Sequence, residues 1–358
     1  MLKVEEHVIK KSIYKTLEEL VSLPGPVGHE YIVSDWLKKR WINKSEECFE
    51  DKVGNLICKI GGKGPKLLIQ AHMDEIGFIV RYITPDGFLL IDPVQEAHRS
   101  GPNHLHMIGQ LAQVISRTGD VATGVFATST GHVLTEQQMA GNLNFNSLFI
   151  DMGVNSKEEV EKLGVHIGSS VVWKRELTQI GNKLIGKAFD DRIGLLVMDL
   201  LLEKMDVSNL NYEVWYGATV QEENKAHGAY ALGSRMDFDM AISLDIGLVG
   251  DIPTVNEQDY PTRLGGGPTL VYKDGAIHYN PKITWGLEDI SKKYNIPYQI
   301  GIYSNYGSDG IALFDSGIPA ALIGIPTRYT HTPFEMVDIK DIYSTVNLLN
   351  HFIDNKAN

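Results

Sequence analysis

Residues 66–80 read KLLIQAHMDEIGFIV, a strand-like apolar run that is interrupted by three ionisable side chains, His72, Asp74 and Glu75. Apolar residues precede and follow them, so they fall where a buried strand should be driest. Charged groups are almost never buried without a partner. The stretch therefore predicts a core strand that leads into a place where the charges of these three groups are compensated.

The composition of the chain is that of a folded globular protein. It has 358 residues, of which 43% are hydrophobic and 22% charged, enough for two domains of ordinary size. The net charge of -12 argues against nucleic acid or an anionic membrane as a partner. The N-terminal MLKVEEHVIKK lacks the pattern of a signal peptide, and no apolar run reaches the roughly 18 residues that a membrane span needs. We therefore expect a cytoplasmic protein that binds neither membranes nor nucleic acid.

The chain contains two cysteines, Cys48 and Cys58, which are not spaced as a CxxC motif. Their number and spacing indicate neither a disulfide framework nor a zinc site built from thiolates. We therefore expect two free thiols without a special role.

The order of the predicted elements indicates an α/β protein with a β insertion. The patterns predict four elements at the start, namely helices over 12–23 and 30–40 and strands over 53–60 and 67–71. The Gly-rich turn GGKG would join the two strands as a hairpin. Short β-type runs fill residues 76–183, and from 184 onward strands alternate with helices. We predict an α/β domain formed by residues 1–75 and 184–358, with an inserted β domain at 76–183.

Five segments end a predicted strand with a side chain that can bind a metal ion. They are LLIQAHMD, LIGKAFDDR, YGATVQEE, MAISLDIG and GIPTRYTHTP. Each has an ordinary explanation by itself, such as a helix cap or a carboxylate that faces water. Functional groups nevertheless collect at the carboxyl ends of strands in open α/β sheets, so the repetition is informative. Together the segments supply His72, Asp190, Glu223, Asp245 and His331.

These five side chains favour a pair of divalent cations. Imidazole and carboxylate ligands suit zinc, cobalt or manganese, whereas a structural zinc site often uses thiolates. A single catalytic zinc uses about three protein ligands and keeps one position open. Two metal ions that share a bridging carboxylate would account for all five side chains.

The motifs AHMDEIGF, GKAFDDRIG, TVQEE, LDIG, GDIP and IPTRYTHTPFEMVD resemble those of the cytosolic dinuclear metallo-aminopeptidases that form tetrahedral particles. That family includes glutamyl, lysyl and leucyl aminopeptidases and members once labelled endoglucanase. The likeness runs from PGPVGHE near the N-terminus to EMVD near the C-terminus. It implies a zinc-exopeptidase-like fold, a mixed sheet flanked by helices, with an inserted small β-barrel-like domain. This insertion would help to assemble a homo-oligomer, a dodecamer by resemblance, and would shape access to the cavity.

The resemblance also implies a role for each site residue. His72 and Asp245 would hold one metal ion, Glu223 and His331 the other, and Asp190 would bridge them. The two ions would be zinc or cobalt, with manganese also possible. Glu222 would be the general base, and Asp74 would orient the imidazole of His72. Two cations at such a site lower the pKa of a shared water and polarise the scissile carbonyl.

Two segments depart from the family pattern. After QEE the chain reads NKAHGAYALG, which places Asn224, Lys225 and His227 where the family has a helix start and a basic residue. This leaves the preferred first residue of the substrate open, and we weigh neutral aliphatic residues slightly above acidic ones. The segment EAHRSGPNHLHMIG contains His98, Arg99, His104 and His106. The spacing of its histidines fits no ligand motif, so we expect surface or loop roles for them.

The sequence therefore favours an aminopeptidase that acts on short peptides. A related dinuclear amidohydrolase, such as a deacylase, is an alternative within the same chemistry. A non-catalytic peptide-binding or assembly protein with a relic site is a second alternative, although the intact Glu222 argues against it. A polysaccharide hydrolase would need only a pair of carboxylates and would leave His72 and His331 without a role.

Overall fold

The computed structural model describes residues 2–94, 104–136 and 145–354, and the strands in these ranges form two sheets. The strands are β1 (Glu47–Glu50), β2 (Leu56–Gly61), β3 (Lys66–His72), β4 (Phe78–Ile83), β5 (Leu89–Pro93), β6 (Leu111–Ile115), β7 (Val121–Ala127), β8 (Phe149–Asp151), β9 (Ser170–Lys174), β10 (Thr178–Ile180), β11 (Lys183–Gly186), β12 (Glu213–Thr219), β13 (Met240–Leu248), β14 (Thr269–Lys273), β15 (Gln299–Ile302), β16 (Ala320–Arg328) and β17 (Glu335–Asp338). The α-helices are α1 (Leu2–Ser22), α2 (Tyr31–Trp41), α3 (Lys157–Lys162), α4 (Phe189–Lys204), α5 (His227–Gly233), α6 (Pro281–Tyr294), α7 (Asp309–Asp315) and α8 (Ile339–Ile353).

The larger sheet is mixed and brings the ends of its central strands to one edge. Its order is β1-β2-β12-β3-β13-β16-β17-β11-β10, with β14 paired to β16 and β15 paired to β14. Strands β12, β3, β13 and β16 are neighbours and run parallel. Strand β11 is antiparallel to β17, which is antiparallel to β16, so β11 runs in the same direction as these four. The carboxyl ends of all five strands therefore face the same edge of the sheet.

Helices cover both faces of this sheet. Alternate residues of its strands point to opposite sides, so each face has its own core cluster. On β3, Leu67 and Ile69 join one core cluster and Leu68 joins the other. The first cluster includes the apolar faces of α1, α4 and α8, and the second includes residues of α5 and α7. The predicted α/β sheet with helices on both faces is thus confirmed.

Strands β4 to β9 close into a six-stranded barrel in the order β4-β5-β8-β7-β6-β9. Phe78 is buried in its core, with the rings of Phe126 and Trp173 packed edge-on at 5.4 and 5.5 Å between ring centroids. This confirms the predicted small β-barrel within an α/β fold. Strand β10 already pairs with the larger sheet, so that sheet resumes at Thr178. The division of the chain into two domains stays a prediction.

The predicted hairpin of the first two strands is wrong. Strands β2 and β3 follow one another in the chain, but β12 lies between them, antiparallel to β2 and parallel to β3. The Gly-rich turn indicates that the chain reverses its direction there, but it does not determine which strand pairs with β2. A Cβ at Gly62 would come within 2.1 Å of the Tyr212 carbonyl oxygen, so the missing side chain makes room for the segment that leads into β12.

The expectation of two free thiols is also wrong. Cys48 on β1 lies directly opposite Cys58 on β2, and the two form a disulfide. Sequence spacing does not reveal which residues face each other across an antiparallel pair, so this bond could not be predicted. Among the residues that the structure describes, no helix is long and apolar enough to cross a membrane.

Candidate active site

The predicted site residues converge at the shared edge of the larger sheet. His72 is the last residue of β3, and Asp245 lies in β13. Glu222 and Glu223 follow β12, and His331 follows β16. Asp190 lies at the start of α4, just after β11. Strand register brings His72 and Asp245 together, because β13 pairs with β3 up to Ser243, which lies opposite Gln70. Two residues further along each strand come Asp245 and His72. The sheet therefore brings together side chains that are far apart in the sequence.

Asp190 lies at the centre of this group. Its Oδ1 lies 3.0 Å from Nε2 of His72, and its Oδ2 lies 3.3 Å from Nε2 of His331. Nε2 of His331 is also 3.3 Å from Oε1 of Glu223. One carboxylate thus turns one oxygen towards each imidazole, which is the arrangement that a bridging ligand requires.

The donor atoms fall into two overlapping sets that share Asp190. One set is His72, Asp190 and Asp245, and the other is Asp190, Glu223 and His331, each with ligand atoms within 4.8 Å of one another. Oε1 of Glu223 is buried and accepts no hydrogen bond of normal geometry from a described residue. An under-satisfied buried carboxylate oxygen among imidazole nitrogens fits a cation ligand. The residues present therefore suit two divalent ions.

Burial raises the pKa of three site carboxyl groups, those of Glu222, Glu223 and Asp245. The Asp190 carboxyl differs, because hydrogen bonds with His331 and His72 outweigh the effect of burial and hold its pKa below the ordinary value. Burial acts to lower the pKa of His72, but the carboxylates of Asp190 and Asp74 raise it well above the usual range. Divalent cations would compete with protons for these imidazole and carboxylate atoms.

Asp74 contacts both the metal-ligand side and the base side of the site. Its Oδ1 accepts a hydrogen bond from the Glu222 backbone N–H and its Oδ2 one from the Glu223 N–H, both at 3.0 Å. Nδ1 of His72 lies 3.1 Å from the backbone carbonyl of Asp74 and 3.4 Å from its carboxylate. The carboxylate of Asp74 therefore holds the turn that carries the base, while its backbone oxygen is the nearer partner of the imidazole.

The loops after β12 and β16 use backbone conformations that few non-glycine residues adopt. Gln221 has a φ of 54°, and Tyr329 and His331 both have a φ of 61°. Such left-handed positions are uncommon for residues with a side chain and need support from the surroundings. The peptide bond between Asp190 and Asp191 is cis.

Two further buried carboxylates, which were not predicted, supply such support. Oε1 of Glu30 accepts hydrogen bonds from the N–H groups of Gly28 and Gln221 at 2.9 and 3.1 Å. Glu335 binds the N–H of His331 and that of Asp190. Both residues lie in motifs that carry the family resemblance, PGPVGHE and IPTRYTHTPFEMVD. Their positions within these motifs could have marked them as functional residues. Their hydrogen bonds, however, depend on backbone contacts that the sequence does not show.

The remaining charges of the opening stretch are compensated by pairing. Glu75 accepts two hydrogen bonds from Nζ of Lys187, at 2.7 and 2.6 Å, and both side chains are buried. Arg192 is buried beside them, 3.6 Å from Glu75, and donates to the carbonyl oxygens of Leu20 and Met73. This ion cluster anchors the loop after β3 to the start of α4.

Other candidate residues stand apart from the donor sets. Lys225 and His227 are exposed near the start of α5. His106 packs its ring edge-on against Phe334, with centroids 5.5 Å apart, so the connection between β5 and β6 touches the loop that carries His331. His98 and Arg99 lie outside the described residues, as does the side chain of His104.

The chain is similar to aminopeptidases of known sequence and structure. The chain matches the family model described as M42 glutamyl aminopeptidase over residues 54–348. The structure of an aminopeptidase from the archaeon Desulfurococcus kamchatkensis is 33% identical, with a TM-score of 0.90, over 96% of this chain and 95% of that one. The lysyl aminopeptidase of Pyrococcus furiosus is 27% identical over 94% of this chain and 95% of its own length. The Pyrococcus horikoshii TET1 peptidase, which can assemble into a tetrahedron or a large octahedral shell, is 25% identical with a TM-score of 0.84 over 94% of this chain and 98% of that one.

Proposed function

The chain belongs to the M42 glutamyl aminopeptidase family and is a metal-dependent aminopeptidase, and we propose that it works through two metal ions bridged by Asp190. The observation that carries this proposal is the position of Asp190, whose two oxygens face different imidazoles. His72 and Asp245 would hold one ion and Glu223 and His331 the other. Zinc or cobalt suits these ligands best, and manganese also suits them.

When bound, the two cations would polarise the scissile carbonyl and make water a nucleophile near neutral pH. Glu222 would act as the general base, and two observations support this role: its Oε2 lies 3.9 Å from Nε2 of His72, and its side chain is largely buried. It would accept a proton from the attacking water and deliver it to the leaving amine. Asp74 would keep Glu222 in position by binding its backbone N–H.

The substrates that we propose are short peptides with a free amino terminus. The family description names glutamyl peptidases, whereas the relative from Pyrococcus furiosus is a lysyl aminopeptidase, so membership alone does not fix the first residue. The exposed Lys225 and His227 could attract an acidic residue. Charge is screened over about 8 to 10 Å at physiological salt, so we propose a slight preference for neutral aliphatic first residues.

We further propose that the chain forms a homo-oligomer, a dodecamer by resemblance, and acts in the cytoplasm without nucleic-acid or membrane partners. Support for assembly comes from the TET1 peptidase, which can assemble into a tetrahedron or a large octahedral shell. Peptides would reach the sites through openings in such a particle, so folded proteins should be poor substrates. A light-scattering mass near one 39.8 kDa chain would contradict assembly.

Turnover of a panel of aminoacyl-p-nitroanilides, with added zinc or cobalt, tests the proposed activity and its side-chain preference together. We expect release of p-nitroaniline that stops when a chelator removes the metal. Peptides with a free amine should be cleaved much faster than the same peptides after N-acetylation. Equal rates on both would favour the deacylase or amidohydrolase alternative, and absence of turnover with bound metal would favour the non-catalytic one.

A further inference from the structure

We propose that Glu335 is a positioning residue. By binding backbone N–H groups it would hold Asp190, the bridging ligand, and His331, a ligand of one ion, in fixed positions relative to each other. This inference rests on the proposed function, because it concerns the assignment of Asp190 and His331 as metal ligands. Glu335 itself lies in neither set of donor atoms, and its side chain binds backbone N–H groups instead.

The contacts of Glu335 use both of its oxygens. Oε1 accepts a hydrogen bond from the His331 N–H at 2.8 Å. Oε2 accepts one from the Phe189 N–H at 2.5 Å and a longer one from the Asp190 N–H at 3.2 Å. Glu335 is only 2% exposed, so these bonds form away from bulk water. One carboxylate therefore connects the loop after β16 with the first turn of α4.

The fold explains why this position can reach both segments. Glu335 is the first residue of β17 and lies opposite Gly186, the last residue of β11. Strand β17 also pairs with the end of β16. It thus lies between the two strands whose ends lead to the bridging ligand and to His331, so a side chain at its start contacts both.

The chemistry explains why a carboxylate is needed there. The N–H groups of Phe189 and Asp190 lie where α4 begins, and the backbone of Asp190 and Asp191 is not helical, so neither N–H has a partner within that helix. The N–H of His331 belongs to a left-handed residue, with a φ of 61°, whose conformation must be held by its surroundings. A carboxylate can accept at both oxygens, whereas a glutamine amide would turn an NH2 group towards one of these donors. Glu335→Gln therefore keeps the shape and removes one of the two connections.

Loosening this connection should affect the two metal ions unequally. Glu335 binds the backbones of Asp190 and His331, and the structure shows no contact from it to His72 or Asp245, which are carried by strands. The ion assigned to Glu223 and His331 should lose affinity most. The ion assigned to His72 and Asp245 should be affected less, through the shared Asp190.

Asp341 provides a matched control. It is a fully buried carboxylate that accepts two backbone N–H bonds, from Gly265 at 2.7 Å and Gly267 at 2.8 Å, and belongs to neither donor set. Asp341→Asn makes the same kind of change, a buried carboxylate to its amide, away from the proposed ligands. A general effect of removing a buried carboxylate should appear in both variants, and a role in positioning should appear only in Glu335→Gln.

The experiment is an equilibrium titration of the metal-free proteins with cobalt, followed by visible absorption, together with thermal unfolding of the metal-free forms. We expect wild type to bind two ions per chain. In Glu335→Gln the dissociation constant of one ion should rise about 10- to 100-fold, the usual cost of losing a group that orients a ligand, and that of the other ion should rise less. In Asp341→Asn both constants should stay within about threefold of wild type even if unfolding shifts. Glu335→Asp keeps the negative charge on a shorter side chain, so its dissociation constants should lie between those of wild type and Glu335→Gln.

Two results would overturn the role of Glu335 alone: two ions bound by wild type with constants unchanged in Glu335→Gln, or equal changes in Glu335→Gln and Asp341→Asn. Fewer than two ions bound by wild type would contradict the proposed function itself. If Glu335→Gln does not fold, hydrogen exchange of the metal-free wild type decides the matter. Slow exchange of the amides of Phe189, Asp190 and His331 supports the proposal, and fast exchange overturns it.

Discussion

The two halves of the proposed metal centre are built differently. His72 and Asp245 lie in neighbouring central strands and are 1% and 4% exposed. Glu223 and His331 lie in loops beyond the strand ends, and the His331 side chain is 21% exposed. The first pair is positioned by strand register. The second pair depends on left-handed backbone residues that are held by hydrogen bonds.

The supports of the two halves differ in the same way. The backbone of His72 makes one long hydrogen bond, 3.3 Å, to the Asp191 carboxylate, in addition to its place in the sheet. The loop half is held by three non-ligand carboxylates, Asp74, Glu30 and Glu335, which bind six backbone N–H groups of the segments that carry Asp190, Glu222, Glu223 and His331. A ligand in a strand thus needs little besides the sheet, whereas a ligand in a loop needs carboxylates that never touch the metal.

The largest expected effect comes from Glu222→Gln, which changes the loop half without removing a ligand. The amide cannot accept a proton, so kcat should fall by about a thousandfold or more while both metal ions stay bound. Steady-state kinetics and metal analysis of the same preparation check this. Activity within about tenfold of wild type would remove Glu222 from the role of base.

Replacing one imidazole in each half compares the halves directly. His72→Ala and His331→Ala should each lower the metal content by about one ion per chain and reduce activity strongly. His72→Ala should also destabilise the metal-free fold, by about 1 to 3 kcal/mol, because it empties a fully buried position, whereas the partly exposed His331→Ala should change it little. Denaturant unfolding of the metal-free proteins measures the difference. Equal destabilisation would show that the two halves are not supported differently.

Asp74→Asn should reduce kcat by about 10- to 100-fold, since it weakens one of the two bonds that hold the turn of Glu222 and Glu223. The KM for a p-nitroanilide substrate should change less than kcat, because the change moves the base more than the substrate. A loss equal to that of Glu222→Gln would mean that Asp74 takes part in proton transfer itself.

Glu30→Gln should have the smallest effect, within about tenfold in kcat. Both of its bonds, from Gly28 and Gln221, go to a single oxygen, and the amide of glutamine keeps one oxygen that can accept them. Glu30→Ala removes that acceptor and should be clearly worse than Glu30→Gln. The rates of the two variants, measured side by side, decide between this role and a purely electrostatic one, which would make them equal.

The contrast between the strand half and the loop half also shows which features of the molecule can be predicted from the sequence. Regular patterns predicted the α/β sheet, the β insertion and the segments that carry the five proposed ligands, because apolar periodicity and strand ends are local features. The barrel form of the insertion was implied by the family resemblance. The hairpin of β2 and β3 and the free thiols of Cys48 and Cys58 were predicted wrongly, because strand partners are chosen across the whole chain. Glu30 and Glu335 were missed because a carboxylate that binds backbone N–H groups has no sequence pattern of its own.

The decisive measurement for the bridged pair of ions is a crystal structure of the protein soaked with zinc or cobalt, with the metal positions fixed by anomalous scattering. We expect two ions per chain that share Asp190. One ion should contact His72 and Asp245, and the other Glu223 and His331. A single ion, or two ions with Asp190 bound to neither, would contradict it.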